Sequence, residues 1–183
     1  GKSFTTRRVN AIQNGEAIFS CSISFQKREK GLSHQIKMPK IQGPEKLKSD
    51  LELRKDLKSK IPKDYLPMCL REREIETRQV EPVDLLKAEK LPPYRSTWMK
   101  PTGKLPADER IHQALLLYVS DMGLLGAAVN PHEVNFMSKK FQSASLDHVM
   151  WFHGKVNFNN WILHHMHSPI SQNARGFSRG SIY

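Results

Sequence analysis

Three clusters of residues in this chain have types and spacings that could do chemistry. Asp121 interrupts an otherwise apolar run, Tyr118-Val119-Ser120-Asp121-Met122-Gly123-Leu124-Leu125. A carboxylate among apolar neighbours must be hydrogen-bonded or hold its proton more tightly. Either state suits a general base that holds a water. The alternative is an acid that ends a helix near Gly123 and turns to solvent. The second cluster is Ser145-Leu146-Asp147-His148. Adjacent strand residues point to opposite faces, so Asp147 and His148 cannot form a dyad with each other, whereas Ser145 and Asp147 share a face. Asp147 also fits as a strand-edge acid bonded to local backbone N–H groups. The third cluster is His164-His165-Met166-His167. His165 and His167 lie on one strand face, a spacing that metal sites use. No Cys, Asp or Glu lies near in sequence to complete a ligand set, so these read as surface or partly packed histidines, and neither metal nor cofactor is expected.

Arg175-Gly176-Phe177-Ser178-Arg179-Gly180 could present guanidinium groups to a phosphate. No phosphate-loop pattern surrounds it, and the glycines fit a bulge or a close backbone approach. The chain has no G-x-S-x-G elbow and no dinucleotide fingerprint.

These residues need elements to position them. A hairpin is expected from residues 3–13 and 16–26 around Asn14-Gly15, because both central positions of a type I′ turn need positive φ. In its second strand Ala17, Phe19, Cys21, Ile23 and Phe25 alternate with mainly hydroxylic residues, so one face should be covered. A lone hairpin is not stable in water and must join a larger sheet. Residues 27–92 are rich in Lys, Glu and Pro and read as a connection, with short helical turns such as 44–58. A strand over 94–100 precedes a buried helix over 106–122, whose first turn takes Pro106, Asp108 and Glu109. Its apolar stripe is Ile111, Ala114, Leu115, Tyr118, Val119 and Met122, widened by Leu116 and Leu117. Further strands fit 145–152, 161–167 and 176–183. A central helix wrapped by an antiparallel sheet is an α+β plan.

The 183 residues suffice for one ordinary domain or two small ones. The apolar fraction of 38% suits a globular chain. No apolar run reads as long enough to span a membrane. The net charge is +11, and residues 1–110 hold 24 of the 29 Lys and Arg. That excess fits a solvated mixed-charge surface or the steering of an anionic ligand. No nucleic-acid motif accompanies it, so nucleic acid is not an expected partner. Two distant cysteines, Cys21 and Cys69, fit a reducing compartment. Gly1-Lys2-Ser3-Phe4 reads as a strand already under way, without an initiator Met or a signal-peptide pattern, so the start is expected upstream.

The motif Ser145-Leu146-Asp147-His148-Val149-Met150-Trp151-Phe152-His153 resembles the signature of the type II acyl-CoA thioesterases. Trp161-Ile162-Leu163 and the Arg175–Gly180 segment match the apolar strand and the R-G-x-x-x-G segment that follow it. Gly1, Ser3-Phe4, Arg7, Val9, Ala11, Gln13, Gly15, Ile18-Phe19 and Ser24-Phe25-Gln26 resemble the family's N-terminal hairpin. The resemblance implies two fused hotdog domains, each a long helix wrapped by a curved antiparallel sheet. Residues 1–40 would be the C-terminal hairpin of the first hotdog and 41–92 the inter-domain connection. Residues 93–183 would be the second hotdog without its last strand, so both halves would be incomplete. It also implies hydrolysis of fatty acyl-CoA by a water that Asp121 activates and that Ser145 helps to hold. Asp147 is given no catalytic role. A Gln of the family's final strand lies beyond Tyr183, so the chain is expected to be a fragment whose own activity is open. A non-catalytic acyl-binding or assembly subunit is the alternative. The expected partner is acyl-CoA, with no membrane insertion and a homo-oligomer as a further expectation. Peroxisomal relatives suggest that compartment, with cytoplasm or mitochondrion as alternatives, although Ser181-Ile182-Tyr183 is not a peroxisomal tripeptide.

Overall fold

A computed structural model describes residues 2–84, 86–134, 138 and 141–183. The chain divides into two compact units, Gly1–Met38 and Pro39–Tyr183.

The first unit is the expected hairpin, β1 (Phe4–Gln13) and β2 (Glu16–Gln26), paired antiparallel with Gln13 opposite Glu16. Asn14 and Gly15 have φ of 51° and 85°, as the two-residue turn requires. A register shift at Ala11/Ile12 bends the ribbon. Val9, Phe19, Ile23 and Phe25 are exposed, so the described residues do not supply the cover expected for that face.

The second unit is built on an antiparallel sheet in the order β3-β4-β5-β6. Its strands are β3 (Ile75–Gln79), β4 (Tyr94–Pro101), β5 (Ile162–Gln172) and β6 (Arg175–Ile182). The last three coincide with expected strands. β3 does not: it comes from the stretch read as a connection. Its fastening explains why. Arg78 donates to the carbonyls of Pro44 (2.7 Å) and Leu47 (3.1 Å) and lies over the Trp161 ring. Thr77 and Gln79 donate to Asp50 of α1 (Asp50–Asp56) at 2.7 and 2.9 Å. A capping box between Ser49 and Glu52 starts α1. A single turn, α2 (Leu66–Cys69), precedes β3.

On the opposite side of the sequence from these turns lies the helix that fills the core. α3 (Glu109–Ser120) begins at Asp108, whose side chain accepts from the backbone N–H of Arg110 at 3.0 Å. Asp108 is therefore the N-cap rather than a first-turn residue, the position where a short carboxylate satisfies an orphan donor. The buried positions are His112, Leu116, Val119 and Ser120, while Ile111, Leu117 and Tyr118 are exposed. The expected stripe is thus rotated, because a helix apolar on two faces offers two stripes at the same spacing. His112 can be buried because both ring nitrogens are used: Nδ1 accepts from Phe158 N–H (3.1 Å) and Nε2 donates to the Pro106 carbonyl (2.9 Å). Leu116 and Val119 join Ile75, Met99 and Phe158 in the core.

Gly123, at φ 93°, breaks the helix before α4 (Leu124–Val129). Glu109–His132 together is long and apolar enough to cross a membrane by length and composition alone, contrary to the sequence reading. Here it is broken at Gly123 and buries Gly126, Ala127, Ala128 and Val129. Residues 145–152 do not form the expected strand. Alternation is necessary for a half-buried strand but needs a neighbour to pair with, and none of the described strands pairs with this stretch.

The close helix–sheet approach uses β6 glycines. A Cβ on Gly176 would stand 2.9 Å from the Ala128 Cβ. Gly176→Ala is therefore expected to lower stability by about 1–3 kcal/mol through overpacking. Gly103→Ala, where nothing lies within 4 Å, is expected to stay within about 0.5 kcal/mol. Chemical denaturation of both variants checks this.

Candidate active site

The end of α3 places two neighbouring side chains in different environments. Ser120 is buried, 5% exposed. Its hydroxyl donates to the Leu117 carbonyl at 2.7 Å, a common back-bond within the last helical turn. Asp121 is the C-cap residue and its side chain is 61% exposed. It lies outside the helix because Gly123 turns the chain two residues later. Of the two alternatives considered for Asp121, the structure shows the acid that ends the helix and turns to solvent, and there it faces another titratable group.

That group is His148. Its Nε2 lies 2.8 Å from Ser120 Oγ, and its Nδ1 lies 3.8 Å from Asp121 Oδ1. The imidazole therefore contacts the buried hydroxyl and faces the exposed carboxylate. The His148 side chain is 29% exposed, so it is partly sheltered while its Asp121 side remains open. Sequence reading treated His148 only as the neighbour of Asp147. No motif spacing links position 148 to position 120, and the pairing arises only when the irregular stretch folds back on the helix end.

Ser145 is exposed. No hydrogen bond joins it to Asp121 or to any other described residue. Asp147 is also exposed. It has no hydrogen bond among the described residues, so the strand-edge role expected for it is not the one it has here. Leu146, Val149 and Trp151 are exposed as well, whereas Met150 packs against the core.

Behind His148 runs β5. His164 is 2% exposed, and its Nδ1 has no hydrogen-bond partner among the described residues. Gly180 of β6 leaves the room that its ring needs, because a Cβ there would collide with Nε2. Burial, and secondarily the charges of His148 and His165, push the His164 pKa down from 6.5 to about 4. The remaining histidines of the cluster have partners that are not metals. His165 Nδ1 lies 3.0 Å from Ser96 Oγ, and His167 Nε2 accepts from Arg179 Nε at 2.9 Å. Arg179 thereby uses its Nε–H within the sheet. Among the described residues no group of three or more His, Cys, Asp or Glu could hold a metal ion.

The broken helix lying on an antiparallel sheet follows the hotdog plan, and solved thioesterase structures share it. An acyl-CoA thioesterase II from Mycobacterium marinum superimposes with a TM-score of 0.76 at 32% identity, over the whole of this chain and 63% of that one. A tesB protein of Mycobacterium avium subspecies paratuberculosis shares the fold with a TM-score of 0.72 at 24% identity. The family model for acyl-CoA thioesterases matches residues 69–183, and the chain belongs to that family. Acyl-CoA thioesterase 2 of Haemophilus influenzae is 33% identical over 183 residues, which are the whole of this chain and 64% of the relative. Acyl-coenzyme A thioesterase 8 of Mus musculus is 35% identical over an alignment of 195 residues that takes in 59% of its length. The chain therefore spans about 60% of the length of these relatives.

His164 carries a measurable pH signature. Its pKa falls on folding, so between about pH 6.5 and 4 the unfolded chain binds the proton that the folded one refuses. The associated stability is complete above pH 6.5 and is lost as pH falls towards 4, by up to about 3 kcal/mol. Urea denaturation at neutral pH and near pH 4.5 is expected to show a steeper loss for the wild type than for His164→Gln. Equal slopes would show that His164 is not held neutral by the fold.

Proposed function

We propose that the protein carrying this chain hydrolyses fatty acyl-CoA to a free fatty acid and CoA, with Asp121 as the base that activates the attacking water. The supporting observation is the exposed Asp121 carboxylate at the helix break, facing His148 at 3.8 Å, in a chain of the acyl-CoA thioesterase family. A carboxylate at the open end of a core helix can take a proton from a water that approaches from solvent. The water oxygen adds to the thioester carbonyl carbon and its proton passes to Asp121. The tetrahedral adduct collapses with cleavage of the C–S bond, and the departing sulfur takes up the proton from Asp121. Backbone N–H groups stabilise the oxyanion. Ser145 is assigned to hold the water or the thioester by a hydrogen bond, on the strength of its place at the head of the thioesterase signature. That contact requires the stretch around Ser145 to be drawn towards Asp121 when substrate binds.

The isolation of Ser145 favours one second reading, a non-catalytic subunit that binds acyl chains or joins an assembly. A homo-oligomer fits either reading. The likeness to peroxisomal members makes the peroxisome the first compartment to test, ahead of cytoplasm and mitochondrion.

Release of CoA thiol from a long-chain acyl-CoA, measured on the full protein, decides between the readings. Asp121→Asn is expected to lower kcat by about 10²–10⁴ with little change in KM. Ser145→Ala, which removes one hydrogen bond worth about 1.4 kcal/mol, is expected to lower it about ten-fold. Full activity of Asp121→Asn would remove the assignment, and acyl-CoA binding without any thiol release would favour the non-catalytic subunit.

A further inference from the structure

The hydrogen bonds around Ser120 fix more than the position of His148; they fix which of its nitrogens carries the proton. A serine hydroxyl has one proton to give, and Ser120 donates it to the Leu117 carbonyl at 2.7 Å. At its 2.8 Å contact with His148 Nε2 the same oxygen can then only accept, so Nε2 is protonated. In the neutral ring Nδ1 is consequently an acceptor. It points at a second acceptor, Asp121 Oδ1, 3.8 Å away. That separation is too long for a direct hydrogen bond. Two acceptors that take the two protons of one water stand about 4–4.5 Å apart, so the exposed Asp121 carboxylate has to swing outward by about 0.5 Å to admit one.

We propose that His148 Nδ1 and Asp121 Oδ1 jointly hold the attacking water, which makes His148 a catalytic residue of this site. The inference rests on the thioesterase reading above and adds a residue to it. A water that donates to both groups has its protons engaged and its lone pairs turned away from them, towards the side from which an acyl carbonyl carbon can approach. As the new C–O bond forms, one proton passes to Asp121, and the other stays on oxygen in its hydrogen bond to His148. The C–S bond then breaks and the sulfur takes up the proton held by Asp121. The titratable groups facing His148 suit this arrangement. Asp121 stands on the helix side, and on the sheet side His164 is kept uncharged by burial, so His164 does not compete with His148 for Asp121.

Asn and Gln at position 148 separate the roles of the two ring nitrogens. An Asn head group falls near the place of Nδ1 and a Gln head group near that of Nε2. Thiol release from a long-chain acyl-CoA by the full protein is expected to stay within about ten-fold of wild type for His148→Asn. It is expected to fall about 10²-fold or more for His148→Gln, with KM nearly unchanged in both. Gln outperforming Asn, or Gln equalling wild type, would overturn the proposal, because a merely structural hold on Ser120 needs Nε2. No thiol release by the wild type would count against the thioesterase reading instead. The tautomer is open to test even then. Imidazole ¹⁵N NMR at alkaline pH is expected to show His148 protonated at Nε2, with an Nδ1 signal that moves in Asp121→Asn. A proton on Nδ1 would overturn the proposal whatever the activity.

Discussion

The close seat of a broken helix on its sheet governs the geometry of this unit. α4 comes down on β6 so tightly that a Cβ at Gly176 would meet Ala128, and Gly123 sits so near Met166 that a side chain there would stand 2.9 Å from its Cε. The left-handed φ at position 123 favours glycine, and a side chain there would also require the end of Met166 to shift. The break it creates ends α3 at Ser120. Two adjacent residues then part company, with the Ser120 hydroxyl turned into the protein and the Asp121 carboxylate turned out. A continuous helix would also have pointed the two side chains about 100° apart. The break adds the difference in burial, and that difference lets one histidine touch a buried anchor and face an exposed carboxylate.

His148 gains its position without the help of a strand. It lies in an irregular stretch that is held at a few points: its own bond to Ser120, the packing of Met150, and further on the fully buried Phe158. A residue fixed by one side-chain bond and one core neighbour can shift by small amounts, as the proposed engagement of Ser145 requires. The sheet behind it is stiffer. His164 is buried against Gly180, and His165 and His167 are tied to Ser96 and Arg179. Desolvation keeps His164 neutral beneath the site even though the chain as a whole is strongly basic.

Local signals were legible in the sequence, and signals that need a distant partner were not. Asn14-Gly15 sets the hairpin because its positive φ values are a property of two residues. β4, β5 and β6 were legible from composition and alternation. β3 was not, since Glu76 and Arg78 lend it the polarity of the surrounding connection and only Asp50, Pro44 and Leu47, some thirty residues earlier, reveal why they can lie on a sheet. The rotation of the α3 stripe has the same origin: Phe158 must be present for His112 to be an interior residue. A strand was expected over 145–152, but pairing is decided by a neighbour that the stretch does not have among the described residues. At the site, the isolated acid in an apolar run singled out Asp121. His148 stayed hidden behind Asp147, because nothing in the order of residues shows that Ser120 will meet it.

The direct role of water is what distinguishes the proposed chemistry from hydrolysis through an acylated side chain. Intact-mass analysis of the full protein, quenched during turnover of a long-chain acyl-CoA, tests it most directly. Direct attack requires CoA to be released while the protein mass stays unchanged at every time point. A protein heavier by one acyl group, on Ser145 or elsewhere, would contradict it, as would the absence of CoA release.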